Sequence, residues 1–173
     1  MGAQSATTTA LPPEIMARLQ GVLSQIADPE IPVLSVLDLG VIRHLLQRPD
    51  GRIEVGISPT YSGCPANAVI RADVLRALQG AGFDAVAVDV LAPPWTSDWL
   101  SAEGRRKLEA FGIAPPSDAV GSTRRLWREE LPAACPRCGS ELTTRQSEFG
   151  STPCKALYRC DTCLEPFDYF KCI

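Results

Sequence analysis

Cys135-Pro136-Arg137-Cys138-Gly139 and Cys160-Asp161-Thr162-Cys163 frame the stretch that decides what the C-terminal part of this chain is. Two residues between cysteines let both thiolates of a tight turn face one ion. Gly139 permits the φ > 0 that such a turn often needs, and two turns supply four sulfurs for a tetrahedron. With 21 residues between the pairs, the spacing sits just beyond the usual range of a structural zinc site. The residues in between then form hairpin strands. Residues 134–173 are too few to be held by a hydrophobic core, so metal binding, worth about 10–16 kcal/mol in zinc-finger peptides, has to supply the folding energy. Structural zinc is the expected occupant, although sulfur ligands alone do not separate it from a single iron or a cluster. The odd total of seven cysteines and the paired Cys-x-x-Cys spacing speak against a disulfide framework. Cys154 and Cys172 exceed what a four-sulfur site needs. They read either as small apolar residues inside the ribbon or as a second, labile ligand pair.

Upstream, the apolar periodicity fades between Gly112 and Pro132 while Pro115, Pro116, Ser117 and Gly121 accumulate, which predicts a linker over residues 114–133. Before it lies a segment with its own pattern. Ile15, Met16, Leu19, Val22, Leu23 and Ile26 recur at helical spacing behind Pro12 and Pro13, and Pro29 ends that helix near Asp28. Val41 to Gln47 and the alternating Ile53, Val55 and Ile57 flank Pro49-Asp50-Gly51, a turn signal, and read as a β-hairpin. Pro65 to Gln79 reads as a second helix stopped by Gly80 and Gly82, Ala85 to Leu91 as a valine-rich strand, and Ser101 to Phe111 as a last helix with a serine N-cap. The expected architecture is α+β: a small α-β-β-α-β-α layer domain over residues 11–113, followed by the zinc β-ribbon over 134–173. Residues 1–10, small and polar, read as a disordered tail.

The composition narrows the function. Of 173 residues, 45% are hydrophobic, which excludes disorder for most of the chain. Seventeen basic residues against twenty acidic ones give a net charge of -3, and the ribbon segment balances five against five, so nucleic acid is not the expected partner. No apolar run approaches the roughly 18 residues of a membrane span, and the first residues lack a basic start and an apolar core. A cytoplasmic protein without membrane partners is expected.

Cys64 is the single cysteine outside the ribbon, placed in Ser58-Pro59-Thr60-Tyr61-Ser62-Gly63-Cys64-Pro65 where a strand gives way to a helix. A thiol at a helix start feels unpaired amides and the positive end of the dipole, which favours thiolate and suits a nucleophile or a soft-metal ligand; a buried structural cysteine is the bland alternative. No general base is in view, because the only histidine, His44, lies mid-hairpin and reads as an ordinary strand residue. Thiol-enzyme chemistry is therefore not expected. Asp28, Glu30 and Asp38 place carboxylates in the loop after the first helix, where capping is the expected role. Trp95 and Trp99, beside Pro93 and Pro94, read as a packed loop.

Three spaced motifs, Asp28-Pro29-Glu30-Ile31-Pro32, Asp38-Leu39-Gly40-Val41 and Thr60 to Pro65, resemble the small domain of iron-sulfur assembly proteins, the MIP18 or DUF59 type. Trp95-Thr96, Glu103-Gly104-Arg105, the run Phe149 to Ala156 and Glu165-Pro166-Phe167 extend the resemblance over residues 12–173 to the PaaD family. That resemblance implies a non-catalytic accessory subunit of the phenylacetyl-CoA epoxidase system, a multicomponent di-iron oxygenase of phenylacetate catabolism whose reductase carries a [2Fe-2S] cluster. The implied task is maturation of that iron-sulfur centre, with Cys64 as the contact for a transient iron-sulfur cluster and Asp28, Glu30, Asp38 and Thr60 as the motif loop. The implied partners are the epoxidase subunits, the reductase among them. Cys64 departs from scaffold domains that present a Cys-x-x-Cys pair, and one thiolate does not hold a cluster that takes about four sulfurs. A second protomer in a homodimer, the surplus ribbon cysteines or a partner would have to supply the rest. The competing reading is a structural subunit that stabilises the oxygenase without handling iron.

Overall fold

A computed structural model describes residues 9–61, 63–116 and 133–171. The chain divides into two compact units, Met1–Trp95 and Thr96–Ile173. In the first, Pro13 opens helix α1 (Pro13–Leu23), where its missing amide costs nothing and its fixed φ suits the first turn. The helix stops at Leu23, several residues earlier than the Asp28-Pro29 signal suggests. The segment from Ile26 is held instead by backbone bonds, Asp28 N to Leu34 O and Val36 N to Ile26 O. Strands β2 (Ile42–Gln47) and β3 (Ile53–Ile57) form the expected antiparallel hairpin, with Gly51 at φ 85° in its turn. Helix α2 (Ala66–Gly80) carries the chain across to β4 (Ala85–Asp89), which pairs parallel with β3. Gly82, at φ 85°, makes the turn between them. Thr9–Ala10, assigned to a tail by composition, form a short strand β1 on the other side of β2, giving the order β1-β2-β3-β4. The core is closed by Leu19, Leu23, Leu34, Val36, Val55, Ile57, Val74 and Leu78, all fully buried.

The second unit begins with a single 3-10 turn (Ser97–Trp99) and helix α3 (Ala102–Phe111). Ser101 caps α3 by accepting the Gly104 amide at 2.8 Å, and Gly112 ends it at φ 89°. Strand β5 (Ile113–Ala114) pairs with β8 (Pro166–Phe170), which pairs with β7 (Lys155–Cys160), which pairs with β6 (Thr143–Ser147). The division at Trp95 and Thr96 therefore differs from the expected one after residue 113. Periodicity marks α3 as a helix but does not say which sheet its following residues join. Here Ile113 and Ala114 hydrogen-bond into the ribbon sheet. Of the expected linker, residues 117–132 lie outside the described ones, as do residues 1–8 of the expected tail. The ribbon core is Ala114, Ala133, Cys135, Ala156, Tyr158, Cys160, Phe167 and Tyr169. Tyr158 stacks on Phe167 at 5.9 Å and meets Tyr169 edge-on at 5.4 Å, which adds directional packing to a small core.

Candidate functional site

The two cysteine turns are built alike. In the first, the Gly139 amide donates to the Cys135 carbonyl at 2.8 Å and the Cys135 amide to the Ser140 carbonyl at 2.9 Å. In the second, Leu164 donates to Cys160 and Cys160 to Glu165, both at 3.0 Å. Each turn needs a left-handed residue just after its second cysteine, Gly139 at φ 72° and Leu164 at φ 65°. Four sulfurs converge, all within 4.8 Å of one another; Cys138 and Cys160 Sγ are 3.5 Å apart, and Cys135 and Cys163 Sγ 3.7 Å. Four sulfurs about 2.3 Å from a tetrahedral centre are about 3.8 Å apart, so the set fits one ion of zinc's size. Cys135 and Cys160 are buried, while Cys138 and Cys163 reach the surface.

Three of the thiols are shifted, and not in the same direction. Backbone donation from Cys163, aided by Thr162 and opposed by burial, lowers the Cys160 thiol to about 6. Although the Glu165 amide pulls the other way, burial and the neighbouring thiols push Cys163 up to about 12. At Cys138 the Ser140 amide has a lowering effect, which the Cys160 thiol, burial and the Cys135 thiol outweigh, so that thiol is raised. Of these three, Cys160 is the readiest to form a thiolate, and an ion bound by the set takes all four as thiolates.

Cys154 stands apart from this set. It lies just before β7 and Cys160 ends that strand, six residues or about 20 Å along an extended chain. Its sulfur is buried and 3.0 Å from Thr152 Oγ1. Cys172 lies outside the described residues.

In the first unit, Cys64 is half-buried, two residues before α2 and at the carboxyl end of the parallel pair β3 and β4. Gly63, at φ 82°, turns the chain into it. The Cys64 amide donates to the Tyr61 carbonyl and its own carbonyl accepts the Asn67 amide, both at 3.2 Å, so the backbone of Cys64 serves the helix start and its sulfur is not used as a cap. The Asp28 carboxylate accepts the amides of Glu30 and Ile31 at 2.9 and 2.7 Å. Asp38 accepts the Ser35 amide and hydroxyl at 3.0 and 2.8 Å, while Ser35 Oγ accepts the Asp38 amide at 3.0 Å. Both carboxylates are buried and shape their own loop, and Thr60 is buried as well. Two features were not visible in the sequence: Ser58 Oγ and Asn67 Oδ1, on either side of the Cys64 loop, are buried without a hydrogen-bond partner among the described residues. No spacing or motif marks them. His44 Nε2 meets Glu54 Oε1 at 3.1 Å across the hairpin, and Trp95 is buried with Nε1 donating to the Leu39 carbonyl at 3.0 Å.

Residues 119–171 match the family model described as PaaD zinc beta ribbon domain, and residues 16–90 the one described as iron-sulfur cluster assembly protein. A subunit of the "Putative 1,2-phenylacetyl-CoA epoxidase" of Escherichia coli (strain K12) is 47% identical over 168 residues, 95% of this chain and 97% of that protein. Two shorter relatives align with about half of the chain. An "Fe-S protein maturation auxiliary factor" of Porphyromonas gingivalis is 35% identical over 50% of this chain and 84% of its own length. The "Fe-S protein maturation auxiliary factor YitW" of Bacillus subtilis is 32% identical over 48% of this chain and 82% of its own length. With an iron-sulfur assembly domain ahead of a four-cysteine ribbon, and likeness to that Escherichia coli protein over nearly the whole length of both chains, this protein belongs to the PaaD family.

Proposed function

We propose that this chain is a non-catalytic maturation factor for the iron-sulfur centre of a phenylacetyl-CoA epoxidase system, with the reductase as its client. The observation that carries the reading is the position of Cys64, a half-buried thiol on a glycine-turned loop at the carboxyl end of parallel strands and not one of the four converging thiols. A soft sulfur there contacts iron without a closed ligand cage, which suits transfer better than storage. The remaining ligands for a transferred cluster come from the client or from a second protomer. The ribbon's four thiols hold one structural zinc, which keeps this segment folded for docking to the epoxidase subunits. The names of the three relatives support the system and the task. The encounter with the client takes place in the cytoplasm; no helix among the described residues is long and apolar enough to cross a membrane.

Cys64→Ser tests the reading, because serine keeps the shape and loses the soft ligand. In cells lacking the protein, this variant should leave fold and bound zinc unchanged and fail to restore epoxidase activity. The structural-subunit reading expects near-normal activity from the same variant, and that result would overturn the role given to Cys64.

A further inference from the structure

Among the described residues β4 pairs with β3 alone, so its other edge has no sheet partner. The register decides which groups face outward. The Ile53 amide bonds the Asp84 carbonyl and the Val90 amide bonds the Ile57 carbonyl. Residues 84, 86, 88 and 90 thus turn their backbone groups to β3, while Ala85, Ala87 and Asp89 turn theirs away. One outward group is already taken. Arg71 of α2 donates from Nη2 to the Ala87 carbonyl at 2.9 Å and from Nη1 to the Asp89 carboxylate at 2.7 Å. These are the contacts an incoming strand with a basic residue would make: a donor on an outward carbonyl and a cation on Asp89. Beside the edge, α2 and the start of β4 enclose an open cavity of about 540 Å³ lined by Leu75, Gln79, Gly82, Phe83, Asp84 and Ala85.

We propose that this edge and its cavity bind an extended segment of another polypeptide by strand addition, and that Arg71 is an internal stand-in which the segment displaces. The chemistry of the segment follows from the groups that meet it. Its backbone pairs with Ala85, Ala87 and Asp89; an apolar side chain enters the cavity against Leu75 and Phe83; a basic side chain takes over Asp89. The exposed Asp84, at the other end of the edge, favours a second basic residue. Size argues for a short segment rather than a second copy of this chain. Five residues at about 3.3 Å each give an edge about 17 Å long, on the order of 200 Å² a side, against the roughly 800 Å² per partner of a stable dimer. The cover is weakly held, since an ion pair between a third-exposed arginine and a half-exposed aspartate is worth little. Until it is displaced, it also protects an edge of alanine and valine from indiscriminate pairing.

The test is selection of a random octapeptide phage library on the full chain, followed by binding of the enriched peptides, made synthetically, to variants. Ala85→Pro removes an outward amide at the first residue of the strand, where proline is tolerated, and should weaken binding at least tenfold with the melting temperature kept. Leu75→Asp changes the cavity from the helix side and should weaken it similarly, which keeps the test decisive if the proline variant fails to fold. Arg71→Ala should tighten binding several-fold by removing the competitor. Failure to enrich any peptide, or enriched peptides that bind all three variants like the parent chain, would overturn the proposal. So would sedimentation showing a dimer that Ala85→Pro dissociates. The selection involves neither iron nor Cys64, so its failure leaves the maturation reading standing.

Discussion

Replacing Leu164 by glycine should tighten metal binding, although it removes a large side chain beside the metal site. Leu164 sits at φ 65°, the left-handed region where a side chain costs about 1–2 kcal/mol, and the matching position of the first turn is Gly139 at φ 72°. The side chain gives little back, being 60% exposed. Glycine would relieve that strain but make the unfolded chain freer, at a cost of roughly 0.4–1 kcal/mol, which leaves a net gain of about 0.5–1 kcal/mol. Because binding and folding of such a ribbon are coupled, the gain should appear as roughly two- to fivefold tighter zinc binding. Gly139→Ala should do the reverse by a similar factor; nothing lies within 4 Å of the added Cβ, so the cost is backbone conformation alone. Competition for zinc against a chromogenic chelator at fixed pH measures both. If Leu164→Gly weakened binding several-fold, the leucine side chain rather than the backbone would be holding the turn, and the strain argument would fail.

Cys135→Ser combined with Cys160→Ser removes one ligand from each turn, and metal analysis should find the zinc gone and the ribbon unfolded; retention at full occupancy would mean other ligands. Zinc affinity should fall steadily as pH is lowered below about 8.5, the ordinary value of a free thiol. The bound form holds thiolates, whereas the ribbon freed of metal is unfolded and its thiols are protonated below that value, so protons compete for the site. A chelator titration that is flat across this range would contradict the four-thiolate assignment. A chain ending at Trp95 should melt cooperatively, since the fully buried Leu19, Leu23, Val55, Val74 and Leu78 all belong to that unit; absence of a transition would show that the division does not mark an independently folding part.

The elements that were legible in the sequence were those with a local cause. Pro49-Asp50-Gly51 placed the hairpin turn, Ser101 and Gly112 bracketed α3, and the Cys-x-x-Cys spacing located all four converging sulfurs. What was not legible depends on partners distant in sequence. Thr9 and Ala10 look like a tail but are a strand because Leu46 and Gln47 offer an edge. Ile113 and Ala114 look like the end of a domain but pair with Asp168 and Tyr169, more than 50 residues away. Leu164 gives no turn signal at all, since its left-handed backbone is imposed by the same pair of hydrogen bonds that Gly139 accommodates freely. Around Cys64, the thiol and the helix start are readable from the residue order, whereas the buried atoms of Ser58 and Asn67 that lack a partner among the described residues emerge only once the strand and helix are packed.

Whether this chain delivers iron and sulfide to a client is read most directly from the cluster content of the epoxidase reductase, purified anaerobically from cells with and without the chain. Iron and acid-labile sulfide per reductase, together with the visible absorption of the cluster, should be low in its absence. They should be restored by the parent chain and stay low with Cys64→Ser. A reductase fully loaded in cells lacking this chain would show that its cluster is built without it.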